Sequence, residues 1–218
     1  MQAPLLEGVT VVEVGNGALT GMVGMVLADF GARVVWFEYG AAAESYHIWH
    51  RGKERISVTL GPGDPQAEST AEVLRGLIID SADVFLTDLC VARLHELGLS
   101  WEILGAQRED LIYAEVSGFG EHSCYAHLAA DGAQGPVDES VVAAAIGRMM
   151  VFEGVAPRPG PVYPALQVGT HGASQATLAG ILAQLINRLG GGRGQRQQAT
   201  MLRALTAYDL IGLGASQA

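Results

Sequence analysis

The sequence is poor in cysteine, in cations and in long apolar runs, and each shortage removes a class of function. Only Cys90 and Cys124 occur in 218 residues, too few for a disulfide framework, and no secretory leader precedes them. The expectation is a protein of the reducing cytoplasm. Lys and Arg total 13 against 23 Asp and Glu, a formal net charge of −10. Nucleic acid and anionic membrane are therefore not expected partners, because both are held through clustered cations. No apolar stretch reaches transmembrane length. There is no internal repeat, low-complexity segment or linker, so residues 1–218 read as a single domain.

What remains is apolar and rich in turns: 49% hydrophobic residues, 29 glycines and eight prolines. That composition suits short strands and helices in alternation, an α/β domain built on a mostly parallel sheet. Gly8-Val-Thr-Val-Val-Glu-Val14 is β-branched and almost continuously apolar, as a strand buried on both faces must be. Gly15-Asn-Gly17 breaks it. Helical spacing follows from Gly21 to Phe30, with Gly31 where a C-cap belongs, and Arg33 to Phe37 is a second strand. Further strands are expected at Ile56–Leu60, Val84–Leu86 and Leu111–Val116. Helices are expected at Ala67–Ile79, Val91–Leu97, from Trp101 behind Ser100, at Ser140–Met150, at His171–Leu189 and, last, at Gln197–Leu210. The glycine-rich segment from Gly118 to Ser140 is too long and irregular for an idle connection.

A glycine turn between a buried strand and a helix lets a ligand approach the backbone, and the free N–H groups of the helix favour an anion. The spacing Gly15-x-Gly17-x-x-x-Gly21 is one residue longer than the dinucleotide fingerprint, although Glu38 stands where a ribose-binding acid would. The same glycines equally fit a tight turn and close helix–strand packing. His122, Cys124, His127 and Asp131 are ligand types for zinc, but their spacing matches no structural zinc pattern and no metal is expected. His47 and His50 read as surface or interface residues, and no Gly-x-Ser-x-Gly elbow is present.

From Pro4-Leu-Leu-Glu-Gly-Val-Thr-Val-Val-Glu-Val14 onward the chain resembles the class III CoA-transferases, the family that includes formyl-CoA transferase, carnitine CoA-transferase and α-methylacyl-CoA racemase. The likeness continues through Leu27-Ala-Asp-Phe-Gly-Ala32, Arg51-Gly-Lys-Glu-Arg-Ile-Ser-Val-Thr-Leu60, Ala82-Asp-Val84 and Leu94-x-x-Leu-Gly-Leu99. It resumes at Leu111-Ile-Tyr-Ala-Glu-Val-Ser-Gly-Phe-Gly120 and Gly192-Arg-Gly-Gln195. The resemblance implies a Rossmann-like CoA-binding domain, CoA or acyl-CoA as substrate with no covalently bound cofactor, and a carboxylic acid as the second substrate. It also implies a homodimer or a related partner subunit, and a smaller second domain that this chain does not reach.

Family chemistry uses an aspartate after the Ser-Gly-Phe-Gly loop, whose carboxylate attacks the thioester to form a mixed anhydride or acts as acid and base in the racemases. Counting forward from Gly120 places it within a residue of Asp131. Counting back from the following helix places it at Ser140, and Asp138 is a third candidate. The resemblance assigns CoA binding to Asn16, Gly17 and Ala18 of the glycine loop and to Arg51, Lys53 and Arg55. Against this, the family's Asn-Phe-Arg-Pro-Gly loop is replaced by Asp88-Leu-Cys-Val-Ala92, and Trp36 and Thr170 replace charged residues. A non-catalytic half or partner is therefore the competing expectation, and an NAD-dependent oxidoreductase a third.

Overall fold

The computed structural model describes residues 4–39, 48–61, 63–124, 138–151 and 157–208. The chain alternates β1 (Thr10–Val14), α1 (Ala18–Asp29), β2 (Arg33–Tyr39), β3 (Glu54–Val58), α2 (Ala67–Ser81), β4 (Val84–Thr87), α3 (Val91–Glu96), α4 (Trp101–Gln107) and β5 (Ile112–Ser117). It continues with α5 (Glu139–Ala145), α6 (Arg148–Val151), α7 (Val168–Leu189), β6 (Arg196–Thr200) and α8 (Met201–Tyr208).

The six strands form one sheet in the order β3-β2-β1-β4-β5-β6, and every neighbouring pair is parallel. That order places a topological switch point between β1 and β4, where the connections leave in opposite directions and a crevice opens at the carboxyl ends of the strands. One face of the sheet, with Val12, Val14, Val35, Phe37, Phe85 and Tyr113, packs on α2, α3 and α4. The other, with Val11, Val34, Val84, Leu86 and Ala114, packs on α1 and α7. A third cluster sits beyond the carboxyl end, where Leu19 of α1 meets Val142, Ala143, Ala173, Met201 and Leu205. Burial on both faces explains why β1 reads as a nearly unbroken apolar run.

Two expected helices are divided differently. Ser140–Met150 is two short helices, because Gly147 adopts φ +72° between them. The last helix begins at Met201 rather than Gln197: residues 196–200 are β6, paired with β5 from Tyr113↔Arg196 to Ser117↔Thr200. Nothing apolar in Arg-Gln-Gln-Ala-Thr signals a strand. The open edge of β5 imposes the conformation, an instance of tertiary pairing overriding local preference. β3 lies two residues earlier than expected and is mostly exposed, as befits the opposite edge.

The Gly192-Arg-Gly-Gln195 landmark has a packing explanation. A Cβ on Gly194 would stand 2.0 Å from the carbonyl oxygen of Leu111, and the Gly194 N–H donates to the Glu109 carbonyl. Backbone cannot yield as a side chain can, so Gly194→Ala is expected to destabilise the fold by about 2 kcal/mol or more. The midpoint of urea unfolding measures it.

Candidate active site at the carboxyl end of the sheet

The glycine loop lies at the switch point. Gly17 is the N-cap of α1, Ala18 opens the helix, and the first intrahelical bond runs from the Gly21 N–H to the Gly17 carbonyl. No side chain caps this end. A glycine N-cap brings no side chain to the amides of the first turn, and helix N-termini of this kind can hold anions.

Only part of the glycine pattern faces that crevice. A Cβ on Gly21 would stand 3.2 Å from Trp49 and 3.3 Å from His50, and one on Gly24 would stand 1.9 Å from Glu13 Oε2 and 2.8 Å from Lys53 Nζ. The segment 49–53 therefore lies along the glycine stripe of α1 and drives Lys53 beneath it. Lys53 Nζ donates to Glu13 Oε2 at 2.6 Å and to the Gly21 carbonyl at 3.0 Å, and lies 3.3 Å from His50 Nδ1. Both side chains of the pair are fully buried. Burial pushes the Lys53 ammonium down and the Glu13 carboxyl up, each shift opposed by the partner's charge.

The three cations of the Arg51–Arg55 run consequently part company. Arg51 is half-exposed and pairs with Asp29, the last residue of α1. At 1.5 Å per residue that is about 16 Å along the helix from the loop. Lys53 is internal. Arg55, half-exposed, pairs with Glu38 and lies 5.6 Å over the ring of Trp36. Trp36 in turn stacks on His50 with centroids 3.5 Å apart and donates from Nε1 to the Gly15 carbonyl at 2.7 Å. Of the three, Arg55 is the one joined through Trp36 to the glycine loop.

Asp88 follows β4 and closes the crevice from its other side. It is buried, accepting from the Asn16 N–H at 3.3 Å on Oδ2 and from the Tyr39 hydroxyl at 3.0 Å on Oδ1. Burial pushes its carboxyl up to about 7, against the two hydrogen bonds, with the negative charge of Glu13 adding to the rise. Tyr39 is pushed well above the usual phenol range by burial and then by Asp88. In the sequence Asp88 is only an acid near Cys90, which stands where the family loop has a cation; the structure makes it a clasp between the loops after β1 and β4 and the end of β2.

The candidate nucleophiles are distributed as follows. Asp131 lies outside the described residues, as do His47 and His127. Asp138 is exposed and is the N-cap of α5, where its Oδ1 accepts from the Ser140 N–H at 2.7 Å; Ser140 is half-buried. Between them stands Glu139, a residue that counting from either side passed over. It is only 4% exposed, and its Oε2 accepts from both the backbone N–H and the hydroxyl of Thr170, each at 2.7 Å. A Cβ on Gly169 would stand 3.2 Å from the Glu139 carboxyl carbon, so that glycine admits the carboxylate to the first turn of α7.

One turn on in α7, the Ser174 hydroxyl donates to the Leu19 carbonyl of α1 at 2.9 Å. Glu139 and the glycine loop thus share one end of the sheet; the sequence shows Glu139 only as one of three consecutive polar residues, Asp138-Glu139-Ser140, at the start of a helix. The adjoining loop is held by Arg196, whose Nη2 reaches Glu115 and Glu121, both at 2.9 Å. Cys90 and Cys124 are exposed and stand outside any disulfide. Among the described residues no group of three His, Cys, Asp or Glu is placed to hold a metal ion, and no helix is long and apolar enough to cross a membrane.

Comparison with known proteins gives concordant matches. The model of CoA-transferase family III covers residues 6–210. The succinyl-CoA–D-citramalate CoA-transferase of Chloroflexus aurantiacus is 29% identical over 203 residues, which are 87% of this chain and 47% of that protein. Human alpha-methylacyl-CoA racemase is 33% identical over 204 residues, 93% of this chain and 49% of the racemase. The crystal structure of a CAIB/BAIF family protein from Brucella suis superposes with a TM-score of 0.79 at 25% identity, covering 100% of this chain and 59% of that one. The chain spans about half the length of the curated relatives it matches.

Proposed function

We propose, from the premise that this chain belongs to CoA-transferase family III, that it forms the thioester-binding part of an enzyme that passes CoA from an acyl-CoA to a carboxylic acid. The observation that carries this reading is the buried Glu139 carboxylate, fixed by Thr170 at the end of the sheet where the glycine loop opens. In it the CoA phosphates lie against the N-terminus of α1, at Asn16, Gly17 and Ala18, with Arg55 at the rim. Arg51 serves a more distant part of the ligand, and Lys53 supports the loop from beneath. An assembly with a second copy or a related subunit completes the site.

In the chemical step a carboxylate oxygen attacks the thioester carbonyl and the C–S bond breaks. CoA leaves as its thiolate and the acyl group stays on the enzyme as a mixed anhydride, which splits one difficult exchange into two easier ones. We assign the attacking group to Glu139, because it is the carboxylate the fold buries and orients there. Asp131 is the competing assignment carried by the family resemblance.

The test is covalent trapping. The native enzyme is incubated with an acyl-CoA, quenched with hydroxylamine and digested, and the peptide that carries the hydroxamate is identified by mass spectrometry. Modification of Glu139, with Glu139→Gln reducing transfer by at least about 100-fold, is the expected result. A hydroxamate on Asp131 or Asp138 moves the nucleophile to that residue. Exchange of the α-proton of a 2-methylacyl-CoA in deuterated water, with no CoA transfer, makes the protein a racemase. A complete enzyme that binds no CoA thioester is the non-catalytic relative.

A further inference from the structure

The glycine loop already holds a carboxyl group, and that group belongs to the chain. Asp88 Oδ2 receives the Asn16 N–H, an amide of the very turn that offers its donors to a ligand at a switch point. Beside it the N-cap of α1 is a glycine and brings no side chain to the first turn, and the Thr20 side chain is wholly buried in that turn, within reach of Glu13. Among the described residues, the groups whose charge or hydrogen bonds reach Asp88 supply no cation. Glu13 comes from β1 and raises the Asp88 carboxyl, Tyr39 comes from β2 as a neutral phenol, and Cys90 follows at the N-cap of α3. The buried ammonium of Lys53 is bonded to Glu13.

A second anion brought to this loop therefore meets a buried carboxylate to which the described residues bring no counter-charge and which little water screens. A proton is the counter-ion that can be supplied without rearranging the core. Protonated on Oδ1, Asp88 still accepts from the Asn16 N–H on Oδ2, donates to the Tyr39 hydroxyl, which turns to accept, and ceases to oppose the ligand.

We propose that occupation of the glycine loop by an anionic group is linked to uptake of a proton by Asp88, so that the phosphate-bearing ligand and the proton enter together. The inference rests on the reading that this loop holds the phosphates of CoA. It makes Asp88 a positioning and linkage residue, with no contact to the reacting atoms. Because Asp88 is half-titrated near neutral pH, the linkage acts over the pH range in which cells work. CoA affinity falls by up to about tenfold per pH unit above neutrality, and proton uptake on binding approaches one at about pH 8.

Calorimetry with CoA, from pH 6 to 8.5 and in buffers of different ionisation enthalpy, tests this on the wild type and on Asp88→Asn. The amide has the shape of the carboxyl and cannot ionise: its oxygen can accept from the Asn16 N–H while its NH2 donates to the Tyr39 hydroxyl, which turns from donor to acceptor. The expected result is uptake of about one proton by the wild type at pH 8, none attributable to the protein in Asp88→Asn, and about tenfold tighter CoA binding by the variant at pH 8. The ligand's own phosphate ionisation is common to both proteins and cancels. Asp88→Asn that binds CoA with unchanged proton uptake overturns the linkage while leaving the CoA site standing. CoA binding by neither protein at any pH overturns the site and the linkage together. Tyr39→Phe, which removes one bond to Asp88, is expected to retain the uptake and shift its midpoint to higher pH; loss of uptake in that variant assigns the proton to the Tyr39 hydroxyl and overturns the proposal.

Discussion

Replacing Asp88 by Asn is expected to stabilise the fold by about 4 kcal/mol at pH 8 and by almost nothing at pH 4. In the unfolded chain this carboxyl titrates near its ordinary 3.8; in the fold burial holds it near 7. The folded state therefore binds the proton more tightly. The group's contribution is complete below the unfolded value, erodes as pH rises from about 4, and is lost once pH passes the folded value near 7. Above that, folding must bury a charge that the surroundings do not neutralise. About three pH units at about 1.4 kcal/mol each give the 4 kcal/mol. The measurement is the difference between the wild-type and Asp88→Asn unfolding free energies from pH 4 to 8.5, which isolates this group from all others. A flat difference would mean that water reaches the clasp. The direction is opposite to that of a salt-bridged carboxylate, whose stabilisation disappears in acid.

The second large effect is at the buried ion pair. Lys53→Met leaves Glu13 under α1 with no cation, and removal of one partner from such a pair typically costs about 3–5 kcal/mol. The loss should shrink as the pH is lowered, because Glu13 can then take the proton in place of the ammonium. Glu13→Leu combined with Lys53→Met should recover most of it, since an apolar pair of similar volume needs no desolvation. Urea titration of the two single variants and the double variant at pH 6 and pH 8 tests both statements. If Lys53→Met alone were neutral, Lys53 would have to face solvent and be available to a ligand. The function of Lys53 thus turns on the segment 49–53 lying along Gly21 and Gly24 of α1.

These two residues illustrate how differently the fold and the site could be read in advance. A β-branched run closed by a glycine turn predicts β1, and a helical apolar spacing ended by Gly31 predicts α1, because each signal is local. Glu13 was visible as an acid inside a strand otherwise suited to burial on both faces, yet its partner stands forty residues away. Arg51, Lys53 and Arg55 look alike in the sequence, and their three fates follow from the structure above them: the end of α1 for Arg51, its glycine stripe for Lys53, and the ring of Trp36 for Arg55. Likewise Asp138, Glu139 and Ser140 are consecutive polar residues. One caps α5, the next enters α7 past Gly169, and the third offers its amide to the first.

The sequence by itself determined the alternation of strands and helices, the turn positions that glycine alone fills without strain, and membership of a family whose landmarks it keeps in order. Those properties depend on neighbours a few residues apart, or on motifs that survive as strings. The tertiary structure alone decided that Arg196–Thr200 is a strand, that Lys53 is internal, that Asp88 clasps the glycine loop, and that Glu139 is the buried acid. Each of these is a question of which group loses its water, and desolvation is set by whatever packs against a side chain from distant parts of the chain. The switch point beside Gly15, Asn16 and Gly17 follows from the same cause: it exists because β4 joins the sheet on the far side of β1, which no spacing of glycines in the loop can specify.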